Sequence, residues 1–172
     1  LGGSGDDSVK LSGDDGCIIG GAGNDSIDLS DSRGSNVIAF NKGDGSDAIR
    51  LGYNRRSSVS LGGGLRYAGL SLRRSGNGLQ FGVGGGDVLS FTDWYAGGAG
   101  NKLVTLQVVA DSLPGDRDSL LGHRIESFDF SKLVSAFEAA RQANPSLSRW
   151  SLTDALLQAH LSSSDEALLG GD

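Results

Sequence analysis

Gly2-Gly3-Ser4-Gly5-Asp6-Asp7-Ser8-Val9-Lys10 and, eighteen residues on, Gly20-Gly21-Ala22-Gly23-Asn24-Asp25-Ser26-Ile27-Asp28 are two copies of one nine-residue pattern. A third copy reads Lys42-Gly43-Asp44-Gly45-Ser46-Asp47-Ala48-Ile49-Arg50. All three carry Gly at positions two and four, Asp at six and an aliphatic residue at eight. Between the first two lies a worn copy, Leu11 to Ile19, which keeps Ile18 but puts Gly16 where Asp belongs and moves its acids forward to Asp14 and Asp15. A further register, Leu29 to Val37, retains Val37 and little else, and the third good copy is offset from the first two by four residues.

The pattern has a physical reading. Three or four extended residues with one inward aliphatic side chain make a short strand, and a Gly-rich loop then reverses the chain through conformations that glycine tolerates cheaply. Two nine-residue units make one coil, so units eighteen residues apart stack. Val9 is expected over Ile27, and the loop of Asp7 over the loop of Asp25. Each junction presents oxygens from two loops, a donor set that suits a hard divalent cation, and calcium tolerates irregular oxygen geometry better than magnesium does.

Composition narrows the class. The chain has 172 residues and 29 glycines, more than twice the share of an average globular chain. Twenty-five of those glycines fall in the first hundred residues, and 18 of the 21 acids are Asp. Helices favour Glu and avoid Gly, so the first hundred residues are not a helical bundle. One cysteine excludes an internal disulfide and a thiolate zinc site. Residues 1–50 carry a net charge of −5, residues 51–110 of +4 and residues 111–172 of −5. The acidic opening argues against nucleic acid and for cations. No apolar run reaches the roughly 18 to 20 residues of a membrane span, and no charged-then-apolar leader opens the chain. With no methionine, the chain is read as a piece of something longer.

Residues 1–50 resemble the repeats-in-toxin, or haemolysin-type, calcium-binding family. That resemblance implies a mainly β fold: a short parallel β-roll, a right-handed β-helix of nonapeptide repeats, with calcium held between loops one coil apart by Asp carboxylates and alternate main-chain carbonyls. Carried onto this chain, one site uses Asp7 and Asp25 with the carbonyls of Gly2, Ser4, Gly21 and Gly23. A second uses Asp47 with Gly20, Ala22, Gly43 and Gly45. Asp14, Asp15 and Asp31, on the edge where the copies depart from the pattern, are secondary candidates beside the reading of that edge as plain turn. The resemblance also implies export of an unfolded chain through a type I secretion apparatus and a secreted or cell-surface location.

Residues 51–110 alternate as half-buried strands do, at Leu65 and Tyr67, Leu70 and Leu72, Leu79, Phe81 and Val83, and again at Val104, Leu106 and Val108. Asn77-Gly78 signals a tight hairpin. The expectation is an antiparallel sheet capping the open end of the roll, which would otherwise expose strand edges. From Leu61 through Leu79-Gln80-Phe81 to Asp93-Trp94-Tyr95 the chain also resembles the segment that follows the last repeats in that family. The Asp-Trp-Tyr cluster reads either as a platform for a host or biofilm glycan or, more simply, as core of the cap. The pairs Arg55-Arg56 and Arg73-Arg74 read either as a phosphate patch or as solvated strand ends.

Residues 111–172 turn helical. Asp129 is placed to cap a helix with Leu133, Val134, Phe137 and Ala140 on one face, stopped by Pro145. Ser151-Leu152-Thr153-Asp154 has capping-box spacing before a second helix, and Ser164 is expected to open a third. These stripes suit packing against one another or the cap.

No nucleophile elbow or His-Glu-x-x-His motif occurs. His123 and His160 stand outside any ligand motif, and Cys17 is expected to point outward with no histidine to activate it. The expected function is a calcium-dependent folding module without catalysis of its own, with a glycan-binding interaction module as the alternative.

Overall fold

The computed structural model describes residues 1–52, 56–62, 64–96, 103–110 and 124–164. The fold is mainly β with two helices near its C-terminal side. The strands are β1 (Gly3–Ser4), β2 (Ser8–Lys10), β3 (Gly16–Ile19), β4 (Gly21–Ala22), β5 (Ser26–Asp28), β6 (Asn36–Asn41), β7 (Ser46–Arg50) and β8 (Ser57–Gly62). They continue as β9 (Ser71–Ser75), β10 (Gly78–Gly84), β11 (Asp87–Phe91), β12 (Leu103–Ala110), β13 (Arg124–Asp129), β14 (Trp150–Ser151) and β15 (His160–Ser164). The helices are α1 (Phe130–Ala143) and α2 (Thr153–Ala159).

From β2 to β8 the chain passes from one sheet to the other and back. A seven-stranded sheet runs β14-β9-β10-β11-β7-β5-β2, a six-stranded sheet runs β15-β13-β12-β8-β6-β3, and β1 pairs with β4 beside them. Both large sheets are mixed. Within the first, β2, β5, β7 and β11 are parallel neighbours, and within the second, β3, β6, β8 and β12 are. Val9 lies opposite Ile27 and Ile27 opposite Ile49, as the period requires.

The four extra residues before the third good copy are divided between the two edges. Inward residues follow one another at a spacing of nine from Val9 through Ile18 to Ile27, then at eleven from Ile27 through Ile38 to Ile49. Two residues are thus added at each reversal, and the strands keep their inward parity because the additions are even. Ile27, Ile38 and Ile49 are all buried.

The expected antiparallel cap over residues 51–110 is realised by β9, β10 and β11, which pair antiparallel in that order. On its other side β11 joins the parallel block beside β7, with Phe91 opposite Ile49, and β8 and β12 extend the second parallel block, with Leu106 opposite Val59. Alternation marks a strand as half-buried but carries no information about the direction of its neighbour, and here the β9–β10 hairpin is interposed between β8 and β11. The hairpin itself forms within Ser75–Gly78 as expected, but with Ser75 paired to Gly78 its two-residue loop is Gly76-Asn77, Gly76 taking φ +57°, and Gly78 opens β10.

Helix α1 closes the apolar interior. Asp129 caps it through a bond from the Lys132 amide, 3.1 Å, and it ends before Pro145. Phe130 is fully buried and meets Phe81, Phe91 and Trp94 with ring centroids 5.7, 6.2 and 5.9 Å away. Leu133, Phe137, Leu152 and Leu156 join the same core.

Two helical expectations are corrected. Helix α2 starts at Thr153 with Leu152 as its cap residue and no side-chain capping bond, because Ser151 is held in β14 opposite Ser71. Ser164 ends a strand paired with Ile125 rather than opening a helix. Residues beyond it, with Arg55 and His123, lie outside the described residues. Cys17 is exposed on β3, as expected.

Replacing Phe130 by Ala is expected to lower the unfolding free energy by about 3–5 kcal/mol. Leu157→Ala, at a position 85% exposed, should change it by less than about 0.5 kcal/mol. Urea denaturation of both variants checks this, and similar midpoints would mean that α1 does not close the core.

Candidate metal centre

The loops stack through two hydrogen-bond ladders that run in opposite directions. At repeat position six, the Asp7 amide donates to Asp25 Oδ1 at 2.9 Å and the Asp25 amide donates to Asp47 Oδ1 at 3.0 Å. At position five, the Asn24 amide donates to Asp6 Oδ1 at 2.8 Å and the Ser46 amide donates to Asn24 Oδ1 at 3.1 Å. Short acidic or amide side chains are needed here because the acceptor must reach only the next loop's backbone.

Glycine makes that approach physically possible at two positions above all. A Cβ on Gly21, at φ +100°, would stand 2.1 Å from the Gly3 carbonyl oxygen. Gly45, at φ +97°, would place its Cβ 2.2 Å from the Gly23 carbonyl oxygen, so a side chain there is barred by both space and backbone conformation. Gly23 and Gly45 form a parallel bridge, and Gly3 and Ser4 pair with Gly21 and Ala22.

The structure therefore brings together the loops of Asp7 and Asp25 and those of Asp25 and Asp47. Gly2, Ser4, Gly21 and Gly23 lie along the first junction, and Gly20, Ala22, Gly43 and Gly45 along the second. Two of the expected carbonyls already accept amides: Ala22 from Gly5 at 2.7 Å and Gly45 from Val88 at 2.9 Å. Each retains its second lone pair for a ligand.

Burial deepens from the first junction to the second. Asp7 is half-buried, whereas Asp25 and Asp47 are 2% and 3% exposed. Asp25 Oδ2 is buried with no hydrogen-bond partner. Burial pushes the Asp47 carboxyl up to about 6, with the charges of Asp25 and Asp44 adding to the rise and the Asp25 amide opposing it.

Asp44 belongs to this group, although the repeat pattern does not single it out. It is 9% exposed, and burial raises its carboxyl, with Asp87 and Asp25 adding to the effect and the Asn41 amide opposing it. Its Oδ2 accepts that amide at 2.7 Å. Asn41 Oδ1 is a second buried oxygen without a partner. The signal available in the sequence was the acid at position three of the third copy, where the other copies have Ser4 and Ala22.

A buried carboxylate oxygen without a partner costs free energy that a proton or a cation recovers. Every donor here is oxygen, which selects hard cations over zinc or copper. Among the described residues no three His, Cys, Asp or Glu side chains converge closely enough to hold an ion by themselves. A cation at these junctions would consequently need main-chain carbonyls as ligands, which only loops stacked in register can offer together.

The opposite edge is built differently. Asp15 Oδ1 accepts the Ser35 amide, Asp31 forms an exposed pair with Lys10 at 2.9 Å, and Gly13 O accepts the Arg33 amide at 2.9 Å. Asp14 and Asp15 are exposed. The aromatic cluster is not an open platform: Trp94 packs on Phe91 and Phe130, and the Tyr95 hydroxyl donates to Glu138 with the Arg74 guanidinium 4.2 Å above the ring. His160 sits 2.6 Å from Glu126 Oε2 and against the Phe128 ring.

The raised Asp47 carboxyl sets a pH dependence with a definite sign. Its folded pKa of about 6 lies above the ordinary 3.8, so between those values the fold holds a proton that the unfolded chain has released. In the chelated protein, stability from this group is present at low pH and falls as pH rises through 6. Calorimetry in EDTA should show the wild-type melting temperature declining relative to that of Asp47→Asn between about pH 4 and 7, and divalent cation should abolish the decline. Parallel profiles would place Asp47 in a solvated environment instead.

No protein-family model matches the chain, and no curated protein matches it.

Proposed function

We propose that this chain is a calcium-binding module whose stacked loops fold into a β-roll when the ion is supplied. The observation that carries the reading is Asp25, 2% exposed, hydrogen-bonded through Oδ1 to the loop before it and left with a buried Oδ2 lacking any partner. The parallel order of β2, β5, β7 and β11, with its counterpart in the other sheet, supports the roll.

Without the ion, Asp25, Asp44 and Asp47 repel one another in a poorly solvated cluster, and the glycine-rich backbone loses more entropy on ordering than an ordinary chain. A cation that binds only the stacked loops shifts the equilibrium by RT ln(1 + [Ca]/Kd) per site, about 1.4 kcal/mol at ten times Kd. Several sites together decide the state. The resemblance to repeats-in-toxin proteins extends this to a secreted or cell-surface protein exported through a type I apparatus, threadable where calcium is scarce and folded where it is abundant. No catalytic role is proposed for these residues.

Circular dichroism with EDTA and with millimolar calcium tests the reading. A β signal that appears or gains thermal stability with calcium is expected, and identical spectra and melting curves would sink it. The ligand assignment has its own check: Asp25→Asn should raise the calcium midpoint at least about tenfold. Asp31→Asn, which removes only an exposed pair with Lys10, should leave it nearly unchanged. Equal shifts in the two variants would refute the assignment.

A further inference from the structure

Beside the seven-stranded sheet, β9, β10, the Gly84–Asp87 turn and residues 148–149 line a cleft of about 500 Å³. That is within the range of small-ligand sites. Its walls carry two guanidinium groups. Strand β14 pairs with β9 so that Ser151 faces Ser71 and Trp150 faces Leu72, and Arg149, just before β14, lines the same cleft as Arg73.

Among the described residues no acid neutralises them. Arg73 Nε donates to Gln80 Oε1 at 2.8 Å and Arg149 Nε donates to Ser71 Oγ at 3.0 Å, both neutral acceptors. Among the described residues neither arginine makes a salt bridge with Asp or Glu. Its neighbour Arg74, by contrast, lies over the Tyr95 ring on the other face of the strand. Space is left above the sheet because Gly82 has no side chain: a Cβ there would meet only Ser71 Oγ, at 2.8 Å.

The far wall is of opposite character. Asp87 Oδ2 accepts the Gly43 amide at 2.7 Å, and the carboxylate keeps further lone pairs. A ligand that fits both walls carries a carboxylate for the two guanidinium groups and hydroxyls for Asp87 and Gln80. We propose that this cleft binds a hydroxylated carboxylate, the chemistry of an acidic sugar. A polyanion such as a nucleic acid is opposed by Asp87 and by the −5 charge of residues 1–50, and a neutral sugar leaves two cations unmatched. None of Asp7, Asp25, Asp44 or Asp47 lines the cleft, although its Asp87 wall adjoins the proposed metal loops through the Gly43 amide.

Titration calorimetry of the full chain, in millimolar calcium so that folding is not in question, tests it with D-glucuronate, D-gluconate, D-glucose and acetate. Glucuronate should bind at least about tenfold more tightly than glucose or acetate, as expected when charge-assisted and hydroxyl contacts are both made. Gluconate binding equally well supports the site with a free hydroxy acid as its source, while a preference for glucuronate supports it with a sugar ring. Arg73→Gln and Arg149→Gln should each weaken binding by a similar factor, and Arg141→Gln, whose partner is Glu138 on α1, should not. Absence of glucuronate binding, acetate binding as tightly, or affinity surviving both cleft substitutions would overturn the proposal.

Discussion

Each loop on the acidic edge of this protein is held to the next by a backbone amide that donates to an Asp one circuit away. Asp7 to Asp25 and Asp25 to Asp47 form that chain of contacts. Everything else on the edge accommodates it. The side chain must be short, the residues flanking it must let two backbones approach, and the strands that follow must stay in parallel register. Loss of that register by one residue would turn Ile27 and Ile49 out of the core together with their carboxylates.

The same contact explains why the site is costly without a counter-charge. Asp25 satisfies one oxygen through the ladder and leaves the other buried without a partner among the described residues, while Asp44 and Asp47 add their charges from the next loop. Stacking therefore concentrates negative charge where water is scarce. The fold and the proposed ion are two sides of one constraint, because the geometry that pairs the backbone is the geometry that crowds the carboxylates. The remaining strands and α1 bury Phe81, Phe91 and Phe130 beyond the repeats, giving the stack an apolar end on which to rest.

Much of this was legible along the chain. The period of the repeats predicts Val9 over Ile27, the hairpin appears within Ser75–Gly78, one residue earlier than the Asn-Gly pair alone would set it, and the Asp129 cap appears where its residue places it. These are local signals, each expressed by a residue type acting on its own backbone. The parallel placement of β11 and β12 was not legible, since alternation reports burial and not neighbour. Nor was the Leu152 start of α2, where pairing of Ser151 with Ser71 overrides a good capping pattern.

The sequence by itself determined the repeat, the Gly-rich reversals, the inward aliphatic positions and an all-oxygen donor set. Only the tertiary structure decided which acids sink into it: Asp44 is buried at the junction while Asp14 and Asp15 stay exposed, although all three lie in loops of similar composition. It also decided that Arg149 returns to bond Ser71 and to line one cleft with Arg73, 76 positions earlier in the chain. The reason is common to both. Conformational preference is carried by a residue and its immediate neighbours, whereas burial and charge proximity are properties of segments that meet only after the chain has folded back on itself.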